Sequence, residues 1–202
     1  MAKPLQFLTA LLLAAVVSTT PIDPRTDKTH DGPSCNPKLP LDGKCWTDIV
    51  GLKWTASPFN YRASYVFTNP AHQNSWGYVD FNLTNNVVPY TAVCSASSNT
   101  LSDFFYGTID YTCSLPADAP SGASVKFRYN RINNQLDIEE SLLCTEDNKT
   151  ATFRVTGSTI VDIQCTDTTT VTEDWKPGLI YSHREIKCQP LDVVFQPAQV
   201  VG

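Results

Sequence analysis

The sequence has few basic residues and none of the residue clusters that bind nucleic acids or metals. Its 15 Lys and Arg residues are outnumbered by 20 Asp and Glu residues, which gives a formal net charge of −5. Because no basic cluster is present, neither a nucleic acid nor a membrane is predicted as a partner. The three histidines, His30, His72 and His183, form no H-x-H or H-E-x-x-H pair, and no C-x-x-C occurs. The sequence therefore predicts no metal site and no cofactor.

Sequence signals for catalysis are missing as well. The chain has no G-x-S-x-G nucleophile elbow and no Gly-rich phosphate loop. Glu139 and Glu140 are adjacent in a predicted strand, so their side chains face opposite sides of it, whereas a glycosidase needs two carboxylates across one cleft. We therefore predict that the protein is not an enzyme. Carboxylates that are distant in the sequence keep an uncharacterised carbohydrate-active enzyme open as a less favoured hypothesis.

Only one long apolar run is present, and it lies near the N-terminus. The run Leu5–Val17 follows a basic residue and precedes small residues, which is typical of a secretory signal peptide over residues 1–20. No later stretch approaches the ~20 apolar residues of a membrane-spanning helix. Residues 21–44 contain five prolines and many charges, which predicts a flexible tail. We expect a secreted, extracellular protein with one folded domain over 45–202.

The remaining sequence alternates apolar and polar residues in short runs that are rich in Val, Tyr, Phe and Thr. These runs are YRASYVF (61–67), GYVDFNL (77–83), YTAVCSA (90–96), GTIDYTC (107–113), ASVKFRY (123–129), QLDIEESLLC (135–144), ATFRV (151–155), TIVDIQC (159–165) and IYSHREIKCQPLDVVF (180–195). Alternation with period two predicts antiparallel strands. About nine strands at this spacing predict an all-β domain, either a closed barrel or a sandwich. NPAHQNSWG (69–77) is predicted as the loop before the second strand.

The chain has seven cysteines, which an oxidising compartment would convert to disulfides. Six can pair within the chain, and the seventh is either an inter-chain disulfide or a buried free thiol. Strand phase places Cys94, Cys113, Cys144 and Cys165 on inward faces. Cys94 with Cys113 and Cys144 with Cys165 are the pairs nearest in sequence, but spacing alone leaves the connectivity open. In the chain-entropy model each bridge would contribute about 3 kcal/mol.

Two sequons and two tryptophans are candidate surface features. Asn82 and Asn148 begin N-x-T sequons, which are glycosylation acceptors in a secreted eukaryotic protein, and Asn82 has the outward phase of its strand. Trp76 and Trp175 lie among polar turn residues, which raises the chance that they are exposed. We therefore regard both tryptophans as possible partner contacts.

The order of these strands resembles a fungal secreted family, that of the Alternaria major allergen, which includes elicitor-like effectors. The resemblance covers about residues 45–195 and depends on WTASPFNYRASYVF, GYVDFNLTN, YTAVCSA, DFFYGTIDYTC and SLLC. It implies a β-barrel without established catalytic activity and disulfides Cys94–Cys113 and Cys144–Cys165. It also implies a dimer joined through a cysteine upstream of the first strand. The implied partners are thaumatin-like host defence proteins and small apolar ligands of the flavonoid type.

The sequence departs from the family pattern at Cys35, Cys45 and Cys188. If Cys188 bonds one upstream cysteine, for example Cys45, the other stays available for an inter-chain bond. If Cys35 bonds Cys45 instead, Cys188 is unpaired and the family dimer is in doubt. Cys45 lies nine residues before Trp54 and matches the family position better than Cys35 does. The resulting functional hypothesis is a non-enzymatic, effector-like binder, with a carrier of a small apolar ligand as the alternative.

Overall fold

The computed structural model describes residues 48–100, 102–146 and 148–202. The predicted signal peptide (1–20) and tail (21–44) lie outside these ranges and stay predictions. Within the described ranges, no helix is long and apolar enough to cross a membrane.

The described residues form eleven strands in two antiparallel sheets. The strands are β1 (Trp54–Asn69), β2 (His72–Asn85), β3 (Ala92–Ser98), β4 (Tyr111–Thr112), β5 (Ser124–Asn130), β6 (Gln135–Glu146), β7 (Lys149–Ile160), β8 (Cys165–Val171), β9 (Ser182–Cys188), β10 (Leu191–Phe195) and β11 (Gln199–Val201). Sheet 1 has the order β3-β2-β1-β9-β8, and β10 also pairs with β1; sheet 2 has the order β11-β7-β6-β5-β4.

The inner faces of the two sheets meet in a core that is rich in aromatic rings. Phe81 of sheet 1 packs edge-on against Phe127 of sheet 2, with ring centroids 5.0 Å apart. Phe59 of sheet 1 similarly contacts Tyr129 of sheet 2 at 5.3 Å. All four side chains are almost fully buried, because alternate residues of each strand face the opposite sheet. The predicted all-β class is confirmed. Of its two architectures the domain adopts the sandwich-like one and not the closed barrel.

Two disulfides join described cysteines. Cys94 bonds Cys113, as the family resemblance implies. The implied Cys144–Cys165 bond is wrong, because Cys165 bonds Cys188. The reason lies in the strand register: Cys165 begins β8, Cys188 ends β9, and the two residues lie directly opposite each other. Cys144 lies on β6 in the other sheet.

The bond between Cys165 and Cys188 also corrects the expectation for the upstream cysteines. The predicted bond from Cys188 to Cys35 or Cys45 is wrong, since the Cys188 sulfur is already used. Cys144 is disulfide-bonded too. Cys35 and Cys45 lie outside the described residues, so an inter-chain bond through one of them remains a prediction.

The second strand begins earlier than the sequence pattern indicates. NPAHQNSWG (69–77) is not a loop, because β1 runs to Asn69 and β2 starts at His72. Alternation continues through this stretch, but the inward positions carry Ser75 and Gly77 instead of large apolar side chains. A Cβ at Gly77 would lie 2.5 Å from the Phe104 ring, which explains the small residue. Because these inward residues are not apolar, the period-two signal is hidden.

The run GTIDYTC (107–113) is mostly not a strand. Only Tyr111–Thr112 pairs with β5, and Ile109 is 55% exposed and not inward-facing. Gly107 has a φ of +72°, a left-handed conformation that interrupts the extended backbone. Its alternating sequence therefore predicted a longer strand than the backbone allows.

Candidate binding surfaces

A cleft of about 820 Å³ lies on the β9–β8 side of sheet 1. Tyr61 and Tyr65 of β1 and Ile186 of β9 contribute side chains from the inner face of sheet 1. The other lining residues are Phe67, Gln73, Ser102, Asp103, Arg131, Ile132, Cys165, Asp167 and Arg184. These residues come from five separate parts of the chain, so no local motif announces the cleft. We refer to this set as the cleft.

Arg131 is held in the cleft without a carboxylate partner. Its guanidinium carbon lies 4.8 Å from the centre of the Tyr61 ring, a cation–π geometry. One Nη donates to Asn134 Oδ1 at 2.5 Å, and the other approaches Cys165 Sγ at 3.8 Å. Among the described residues no ion pair is formed by Arg131. The cleft therefore presents one fixed cation whose charge is not neutralised by a contacting carboxylate.

A second arginine of the cleft is neutralised. Arg184 donates from Nε and Nη2 to the Asp167 carboxylate, with the closest contact at 2.5 Å. These hydrogen bonds hold the pKa of Asp167 below its usual range. The Arg184 guanidinium carbon also lies 5.0 Å from the centre of the Tyr65 ring. Asp167 is thus held as a charged acceptor for Arg184, and a carboxylate in this state is poorly suited to proton transfer.

The cleft tyrosines stay protonated at physiological pH. Burial is the main cause that raises the pKa of Tyr61, and the nearby Arg131 opposes it. Burial likewise raises the pKa of Tyr65, again opposed by an arginine, Arg184. Both residues therefore contribute neutral, largely buried aromatic rings to the wall of the cleft.

The turn between β8 and β9 forms an apolar surface that we call the hairpin tip (residues 171–181). Val171, Leu179 and Ile180 are 55%, 53% and 51% exposed. Trp175 is only partly exposed: its Nε1 donates to the Leu179 carbonyl at 2.9 Å, and its ring packs edge-on against Tyr181. The predicted contact residue Trp175 thus braces the tip, and the aliphatic side chains beside it provide most of the exposed apolar area.

Trp76 lies on β2 and is 41% exposed. It points away from sheet 2, because Ser75 and Gly77 on either side of it face inward. In sheet 1, β1 lies between the strand of Trp76 and β9, whereas Trp175 packs against Tyr181 within the hairpin tip. Asn82 and Asn148, the two sequon residues, are both exposed, and their occupancy remains a prediction.

Sequence reasoning missed a buried carboxylate between the sheets. Glu139 and Glu140 face opposite sides as predicted, but Glu140 is 1% exposed. Its Oε2 accepts a hydrogen bond from Trp54 Nε1 at 2.6 Å, and Asn85 Nδ2 donates to both oxygens at 3.0 and 3.1 Å. Burial raises the pKa of Glu140, and the two donors oppose that shift. The group is a structural link between β1, β2 and β6.

The described residues contain no group of three or more His, Cys, Asp or Glu side chains that could hold a metal ion. A family model described as Alternaria alternata allergen 1 matches residues 57–188, about two thirds of the chain. The chain belongs to this allergen family. The matched range begins in β1 and ends at the last residue of β9, so it includes the cleft, the hairpin tip and both described disulfides. No curated protein and no solved structure matches the chain.

Proposed function

We propose that this member of the allergen family is a secreted, non-enzymatic protein that binds a host or environmental protein, as an effector does. The observation that carries the proposal is the hairpin tip, where three aliphatic side chains are each more than half exposed. Exposed apolar side chains that are grouped in one segment in this way favour a protein-binding surface. The partner class suggested by the family resemblance is a thaumatin-like plant defence protein.

The tip is suited to binding because its backbone is already ordered. Thr172 N donates to the Tyr181 carbonyl, and Thr172 Oγ1 donates to the Ile180 carbonyl at 2.7 Å. Together with the indole bond of Trp175, these contacts order the backbone that carries the exposed side chains before any partner arrives. A pre-ordered surface loses less conformational entropy on binding. The partial burial of Trp175 supports this role as a brace.

The test measures binding of the purified chain to a purified thaumatin-like protein by biolayer interferometry. Substituting both Leu179 and Ile180 with serine should weaken binding about tenfold or more, the loss expected when central contact residues are removed. Val93→Ser is the matched control, because Val93 is 54% exposed on β3, away from the tip. Equal binding by the tip variant and the unaltered chain would contradict the proposal.

A second candidate function, carriage of a small ligand, is favoured by the cleft. Its volume of about 820 Å³ is in the range of small-molecule sites. Two neutral tyrosine rings and the unneutralised Arg131 would suit an aromatic ligand that carries a polar oxygen.

Native mass spectrometry of the secreted protein tests this second function. A stoichiometric adduct is expected for the unaltered chain and should be lost in Arg131→Gln. Arg62→Gln is the matched control, since Arg62 lies outside the cleft lining and already contacts a tyrosine ring. A bare polypeptide mass under gentle conditions would count against carriage.

A further inference from the structure

The outer face of sheet 1 carries an ordered array of polar side chains around one exposed indole. In β2, the exposed or partly exposed residues Trp76, Tyr78 and Asp80 alternate with residues that face sheet 2. The strand register places Trp76 opposite Ser64 of β1 and places Ser64 opposite Glu185 of β9. We call this surface the outer face.

Ser64 is the residue of β1 directly opposite Trp76, and its small side chain lies between Trp76 and Glu185 on the same side of the sheet. Trp76 is 41% exposed, so part of its indole is available to a ligand. A flat aromatic ring beside short polar side chains suits a ligand that has both an apolar face and a hydroxylated edge.

The polar groups around Trp76 and Ser64 are already held in position by contacts with one another. The Arg62 guanidinium carbon lies 4.8 Å from the centre of the Tyr78 ring, and its Nη1 donates to Asp80 at 2.6 Å. Ser64 Oγ and His183 Nε2 form a hydrogen bond at 3.0 Å. Fixed donors and acceptors lose little entropy when a ligand binds. The remaining N–H groups of Arg62 can donate to ligand hydroxyls.

The charges on the outer face cancel in pairs. Arg62 pairs with Asp80 at 2.6 Å, and Lys187 pairs with Glu185 at 2.8 Å. A surface of this kind has no excess positive charge to attract an acidic polymer. A neutral, polyhydroxylated ligand matches the paired charges, the hydroxyl of Ser64 and the exposed indole.

We propose that the outer face binds a neutral polysaccharide, with the apolar face of one sugar ring stacked on Trp76. The hydroxyl groups of that ring contact Ser64, Glu185 and Arg62. Neighbouring strands are about 4.7–4.9 Å apart, so Trp76, Ser64 and Glu185 form a row across three strands, and the polysaccharide extends along this row from Trp76. This site is separate from the hairpin tip and from the cleft.

The test is affinity electrophoresis of the full chain in gels that contain a soluble neutral glucan, a neutral xylan or acidic polygalacturonate. All proteins carry Asn82→Gln, because Asn82 is an exposed sequon residue and its removal makes every sample uniform in glycosylation at this position. The neutral gels should retard the protein that retains Trp76, and Trp76→Ala should raise the dissociation constant for the neutral glycan about tenfold or more. Trp175→Ala removes an indole elsewhere and should bind normally.

A second variant separates loss of the site from loss of folding. Ser64→Leu keeps the Trp76 indole but places a larger apolar side chain beside it. This variant should therefore also abolish retardation in the neutral gels, while its far-ultraviolet circular dichroism stays unchanged. The proposal is overturned if no neutral glycan retards the protein, if polygalacturonate alone does, or if Trp76→Ala binds as tightly as its parent. Tip variants Leu179→Ser and Ile180→Ser should retain glycan binding, which distinguishes this site from the proposed protein-binding function.

Discussion

Replacing Glu140 with glutamine is expected to change how the stability of the domain depends on pH. The carboxylate is 1% exposed and accepts hydrogen bonds from Trp54 and Asn85. No cation forms an ion pair with it in the described part of the chain. The orientation of Asn85 is fixed, because its Oδ1 accepts the N–H groups of Val87 and Val88 at 2.8 and 2.9 Å. Its amide group therefore always donates toward residue 140.

The sign of the effect follows from the direction of the pKa shift. Burial raises the pKa of Glu140 in the folded state, so folding favours the protonated acid. The stabilisation by protonation is fully present below the unfolded-state pKa and is lost as the pH rises through the folded-state pKa. Each unit by which the pKa is raised corresponds to about 1.4 kcal/mol. Glu140→Gln cannot titrate, so the stability of the parent relative to this variant should increase on acidification.

The substitution Trp54→Phe measures how much the hydrogen bond between Trp54 and Glu140 contributes to the free energy of unfolding. When Glu140 is ionised, the indole donates to a buried charge, and removing one partner of such a group costs about 3 kcal/mol. When Glu140 is protonated, the same hydrogen bond joins neutral groups and is worth about 1 kcal/mol. A double-mutant cycle between Trp54→Phe and Glu140→Gln should therefore show a coupling free energy that falls by about 2 kcal/mol as the pH is lowered through the folded-state pKa of Glu140.

Urea unfolding followed by far-ultraviolet circular dichroism at a series of pH values measures both quantities. Using the difference between parent and Glu140→Gln cancels the contributions of other acids, including Asp167, whose pKa is shifted in the opposite direction. Parallel pH profiles for the two proteins would refute the reasoning. So would a parent that loses stability relative to the variant as the pH falls.

Three further predictions concern the disulfides, the core and the sequons. Cys188→Ser breaks the bond to Cys165 and should lower the free energy of unfolding by about 3 kcal/mol in urea titrations. Gly77→Ala places a Cβ 2.5 Å from the Phe104 ring, and thermal unfolding should show a loss of about 2 kcal/mol. Intact-mass measurement of the protein secreted from a eukaryotic host should show a glycan that Asn82→Gln removes.

Each of these predictions has a control or a contradicting result. Peptide mapping without reduction should recover Cys165 linked to Cys188, and a peptide linking Cys144 to Cys165 would contradict the structure. Ser97→Ala changes an exposed β3 residue and should leave thermal stability unchanged, unlike Gly77→Ala. An unmodified Asn82 in the secreted protein would show that its sequon is not used.

The strands were predictable where inward residues are large and apolar. YVDFNL and ASVKFRY alternate clearly and coincide with parts of β2 and β5. The start of β2 was hidden, because the inward positions carry Ser75 and Gly77. The small residue at position 77 is required by the Phe104 ring, which is distant in sequence. Alternation in one strand cannot reveal such a requirement.

Contacts between distant segments explain the other errors. Proximity in the sequence suggested Cys144 as the disulfide partner of Cys165. The strand register of β8 and β9 instead places Cys165 opposite Cys188. The burial of Glu140 was also missed, because the groups that satisfy it, Trp54 and Asn85, lie 86 and 55 residues away. In the same way the cleft is assembled only when the strand order of sheet 1 is known.

The strand β8 connects the observations on two of the surfaces, the cleft and the hairpin tip. Apart from the partly buried Cys165, every residue of β8 is exposed, so this strand adds little to the core and little to stability through burial. It nevertheless forms one edge of sheet 1, supplies Asp167 to the cleft and leads into the hairpin tip. The Cys165–Cys188 disulfide joins β8 to β9 at the base of this hairpin. A strand that contributes so little to the core, yet is covalently anchored, is better explained by the surfaces it presents than by the stability it provides.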